Sequence, residues 1–92
     1  MSPGFQYLNI TGDTTTTVKG SRGVLHAIII NGPTATETIT IFDSLIGSGT
    51  KIGTITVAAS PQPVSLIYDV SFWTSLTIVT AVASSDITVA FQ

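Results

Sequence analysis

His26 is the one histidine in this 92-residue chain, and it sits inside the most apolar stretch, RGVLHAIII. Nucleophilic catalysis would need it as a base, with a nucleophile beside it and an orienting group behind. The chain has no cysteine, and no serine-nucleophile motif surrounds the histidine. Between Leu25 and Ala27, His26 reads as a structural residue of the core or of a subunit interface, hydrogen-bonded to one neighbour. The five acids, Asp13, Glu37, Asp43, Asp69 and Asp86, are scattered singly. Metal sites need clustered ligands, so these acids read as turn caps that accept backbone N–H bonds. A calcium site shared between loops and a carboxylate pair for glycoside hydrolysis are the alternatives. GSRG (20–23) and GSGT (47–50) lack the Gly-Lys-Ser/Thr and helix of a phosphate loop, and read as hairpin turns. No catalytic residue, metal ligand or cofactor is expected.

Trp73 follows Phe72 in SFWTSL. Neighbours in a strand point to opposite faces. Either both rings pack in the core at a strand entry, or one turns outward as an interface anchor or a sugar-stacking platform.

The elements that must position these residues are strands. Ile, Val and Thr are abundant and favour pleated backbone. About eight short runs, near 5–10, 14–19, 23–31, 37–42, 51–58, 64–70, 75–82 and 86–92, alternate with Gly, Pro, Ser, Asn or Asp clusters. Gly53 in KIGTITVA implies a bulge or a close backbone approach. The helical period is not sustained anywhere. The expected fold is all-β, a single-domain antiparallel β-sandwich of jelly-roll or related Greek-key topology. An immunoglobulin-like sandwich is the second choice. In RGVLHAIII, strict alternation places Val24, His26, Ile28 and Ile30 on one face and Leu25, Ala27 and Ile29 on the other.

Composition narrows the function. Charged residues make up 9% of the chain and the net charge is −2, against ~25% charged in a typical soluble domain. Lys19, Arg22 and Lys51 are the only basic side chains besides His26, too few for a row of phosphate contacts, so nucleic acid is not an expected partner. No apolar run approaches the ~20 residues of a spanning helix, and the start of the chain does not resemble a signal peptide. A soluble protein made in the cytoplasm, with no membrane partner, is expected. Low charge and small size favour self-association.

The ordered segments TVKGSRGVLHAIIIN, TITIFDSLIGSGTKIGTIT, LIYDVSFWTSLTIVT and DITVAF resemble a group of small bacteriophage virion proteins, over about residues 14–91. Ser75 stands where that pattern has glycine, a change expected to loosen a turn. The resemblance implies a non-enzymatic head-decoration (cement) protein on the outer capsid surface of a virion. It would bind the major capsid protein and form a homotrimer. A head-fibre or tail-associated domain, and a carbohydrate-binding module using Trp73 and Tyr68, are the alternatives. An N-terminal arm (1–12) would reach between subunits from a β-sandwich domain (13–92). Phe5, Gln6, Tyr7 and Trp73 are its expected interface residues, and His26 its structural residue.

Overall fold

The computed structural model describes residues 5–92. Among them, eight strands form: β1 (Gln6–Thr11), β2 (Thr14–Lys19), β3 (Gly23–Ile30), β4 (Glu37–Asp43), β5 (Lys51–Val57), β6 (Val64–Phe72), β7 (Leu76–Thr80) and β8 (Asp86–Phe91). They assemble as two four-stranded antiparallel sheets, β1-β8-β3-β6 and β2-β7-β4-β5. This alternation of strands between layers is a jelly roll.

Only β4 and β5 are joined as neighbours within a sheet. The other connections cross from one sheet to the other, so GSRG bridges the layers between β2 and β3 instead of closing a hairpin. GSGT does lie in the β4–β5 hairpin. Sequence cannot separate the two cases, because both need a polar, glycine-containing reversal.

The core fills the space between the sheets. Alternation in β4, β7 and β8 sends Ile39 and Ile41, Leu76 and Ile78, and Ile87 and Val89 inward, all fully buried. Burying each such side chain contributes roughly 1.5–3 kcal/mol.

β3 breaks the alternation. Leu25, Ile28 and Ile30 are all fully buried, which a strict two-residue period forbids. The register explains it. Leu25 pairs with Phe91 and Ala27 with Ala90, so β3 holds one more residue than β8 over this step. Two residues facing one is a β-bulge. It places His26 and Ala27 in succession on the outer side, and the expectation of a histidine on the Ile28–Ile30 face is corrected.

Gly53 serves as expected. The β4–β5 register shifts between Ile41 and Phe42, and a Cβ on Gly53 would stand 2.9 Å from the Tyr68 hydroxyl oxygen. Tyr68 thus lies across the gap between the edge strands β6 and β5. Gly23 is needed for another reason. A Cβ there would strike the Gln92 carbonyl oxygen, which accepts the Val24 N–H at 2.9 Å.

Glu37 was expected to cap a turn. It shares the inward parity of Ile39 and Ile41, is 1% exposed, and its Oε1 has no hydrogen-bond partner among the described residues. The two-residue period overrides the preference of a carboxylate for water.

Ile28 lies beside the bulge and has no exposed surface. Ile28→Ala is expected to destabilise the fold by about 2–5 kcal/mol, the usual range for an aliphatic core truncation. Urea unfolding checks this. A loss under about 1 kcal/mol would place Ile28 outside the packed core.

Candidate interaction surfaces

The β3 bulge builds the first surface. His26, its side chain 31% exposed, bonds through Nδ1 to Oδ1 of Asp69 at 2.5 Å. Asp69 has φ +49°, a left-handed conformation rare outside glycine. It sits where two residues of β6, Tyr68 and Asp69, face one of β3, His26, between the pairs Leu25–Val70 and Ala27–Ile67. The Phe5 ring stacks on the imidazole, with centroids 4.0 Å apart and planes 6° from parallel. Phe5 precedes an edge strand while His26 lies two strands inward. The Phe5 side chain therefore reaches across the outer face of its own sheet to β3.

Gln6 and Tyr7 continue into β1, paired with Phe91 and Ala90. Residues 1–4 of the expected arm lie outside the described residues. Tyr7 is 77% exposed and starts a cross-strand row on the outer face. Tyr7 pairs with Ala90, Ala90 with Ala27, and Ala27 with Ile67. Ile67, at the far end of the row, is 63% exposed. Sequence reading missed this row, because it exists only once four strands are in register.

The second surface is the loop end around Trp73. Phe72 is buried and Trp73 is 71% exposed, so the two rings part as adjacent strand residues should. Asp43 holds the loop. Its carboxylate accepts the backbone N–H groups of Trp73 (2.9 Å), Thr74 (2.7 Å) and Ser75 (3.3 Å). The Trp73 bond dominates over an opposing desolvation effect, Thr74 and Ser75 add to it, and the Asp43 carboxyl is held below its ordinary value. Ser75 does not loosen the turn. It is fully buried, and its hydroxyl donates to the Lys19 carbonyl at 2.8 Å. The Arg22 guanidinium lies 5.9 Å from the Trp73 ring centroid, and the two border a shallow groove with Gly23, Val24, Ser71 and Phe72. Tyr68, packed across Gly53, is not among its walls. The expected pairing of Trp73 with Tyr68 as a sugar platform is not formed.

The expected turn caps fare unevenly. Asp43 is one. Asp86 instead accepts from the side-chain amides of Asn9 and Asn31, at 2.7 and 3.2 Å, and Asp69 takes His26. Among the described residues no group of three or more His, Cys, Asp or Glu could hold a metal ion. Among the described residues no serine or threonine hydroxyl is hydrogen-bonded to the His26–Asp69 pair.

No protein-family model matches the chain, and no curated protein matches it. Among solved structures, the chain is similar to the Drosophila NLP core. The two are 14% identical with a TM-score of 0.58, over 98% of this chain and 97% of that one. That crystal structure is described for its pentamer formation and histone binding. At this identity the likeness establishes the sandwich fold. It also corrects the expected role. The matched fold belongs to a histone-binding pentamer and not to a phage head protein, and it supports neither a capsid partner nor a trimer.

Asp43 generates a pH prediction. A carboxylate whose folded-state value is lowered adds stability above its unfolded value, at about pH 4, and loses it as pH falls through the lowered value. Asp43→Asn should therefore lose about 1 kcal/mol at neutral pH. Its melting temperature should also fall less than that of the wild type between about pH 5 and pH 2. Parallel acid limbs in thermal melts would refute this role.

Proposed function

We propose that the chain is a non-catalytic, self-assembling β-sandwich that works through protein–protein contact, as a homo-oligomer. The observation that carries this reading is the exposure of Tyr7, Ile67 and Trp73, at 77%, 63% and 71%. Tyrosine and tryptophan are enriched at binding hot spots. Few charges surround them: the chain has three basic and five acidic residues, and Glu37 is buried. The pentamer of the Drosophila NLP core, similar over 98% of this chain, supports a cyclic assembly.

A second reading has its own observation. The β1–β2, β3–β4, β5–β6 and β7–β8 loops share one end of the sandwich. They carry no Lys, Arg or His, while Asp13 lies in one of them and Asp86 borders another. A ring repeating that end would collect carboxylates on one face and suit a basic protein partner. Histone binding by the Drosophila protein supports this.

Native mass spectrometry at micromolar concentration tests the first reading. A discrete homo-oligomer, with five copies expected, supports it, and a monomer overturns it. Fluorescence anisotropy with a lysine-rich peptide tests the second. Binding that weakens at least about tenfold between 50 mM and 500 mM salt is expected from screening of exposed charges. A lack of binding at low salt removes that reading.

A further inference from the structure

The two sheets treat their edges differently. Exposed edge strands present unpaired N–H and C=O groups, and natural proteins guard them with lysine, proline or bulges. In the β2-β7-β4-β5 sheet, edge strand β2 ends on Lys19 and edge strand β5 begins with Lys51. The β1-β8-β3-β6 sheet lacks such guards over most of its edges. β1 (QYLNIT) contains no charge and no proline, and β6 is free of both from Val64 to Tyr68. Its one interruption is Asp69, at φ +49°.

The strand directions of this sheet are also complementary. Each neighbour is antiparallel along β1, β8, β3 and β6, so the two edge strands run in opposite senses. A copy shifted sideways would bring its β1 antiparallel to the first copy's β6. The outer row ends at both edges in a large exposed apolar side chain, Tyr7 on β1 and Ile67 on β6, with Ala90 and Ala27 between.

We propose that a second copy of this chain docks edge to edge on the β1-β8-β3-β6 sheet, with β1 of one copy antiparallel to β6 of the next and Tyr7 against Ile67. Main-chain hydrogen bonds supply affinity in such strand addition, and the side-chain pair supplies register. The contact joins two different surfaces, so it is heterologous and closes into a ring when the rotation between copies permits. This inference rests on the assembly reading above and adds the surface that performs it.

The chain lacks cysteine, which makes the test direct. Within one copy, positions 7 and 67 lie three strand spacings apart, roughly 14 Å. A disulfide spans at most about 7 Å between Cα atoms. The double variant Tyr7→Cys/Ile67→Cys can therefore cross-link only between copies. After oxidation at low micromolar concentration it should run as a ladder of covalent oligomers on a non-reducing gel and collapse to monomer with reductant. Each single variant should stay monomeric on the same gel. Efficient dimers from Tyr7→Cys alone would indicate a face-to-face contact and overturn the proposal. As a second measure, Ile67→Lys should raise the oligomer's dissociation constant at least about tenfold while circular dichroism shows the β-fold retained, the effect of a guarded edge. A monomeric wild type removes the assembly reading itself. An oligomeric wild type whose double variant gives no ladder, or whose Ile67→Lys variant keeps full affinity, removes this interface alone.

Discussion

One extra residue in β3 governs much of this structure. Leu25 must face the core, and so must Ile28 and Ile30, but a pleated strand alternates strictly. The bulge at His26 and Ala27 resolves the conflict by spending one residue outside the period. Its effect carries to the next strand, where Asp69 takes a left-handed backbone opposite the same point. The imidazole turned outward then gains a carboxylate partner, Asp69, and a stacked ring, Phe5.

That single feature also marks where sequence reading stops. The eight strands were legible, because β-branched runs between turn residues leave few alternatives. The jelly roll was legible as a class. The bulge was not, because RGVLHAIII is apolar at almost every position and no alternation signals a slip. Trp73 could be singled out from its type, and its exposure follows from Phe72 occupying the inward position beside it. Asp43 was rightly read as a cap, but its distance in sequence from the Trp73–Ser75 loop hid which turn it holds. Glu37 departs from a turn cap because the two-residue period of β4 turns it inward.

The exposed aromatic and aliphatic residues separate by location. Leu45, Ile46 and Trp73 belong to loops at one end of the sandwich, whereas Tyr7 and Ile67 lie on strands. Loop residues can adjust to varied partners. Strand residues are held at fixed spacing by the backbone ladder and suit a repeated, symmetric contact. The Thr-rich strand β2 and the two edge lysines give the second sheet a wetter character, so the flat sandwich has two unlike sides.

The pairing of β1 with β8 joins strands far apart in sequence, Gln6 opposite Phe91. β8 is not a late addition at a margin. It lies between β1 and β3, so three of the four strands in its sheet have no complete partner set until β8 is present. During synthesis, β1 and β3 emerge before the stretch DITVAFQ that pairs with both. The β1-β8-β3-β6 sheet therefore closes when β8 is added and not strand by strand in chain order. Over that interval, the nascent chain carries its longest apolar segment, RGVLHAIII, unshielded by the strand that will cover it.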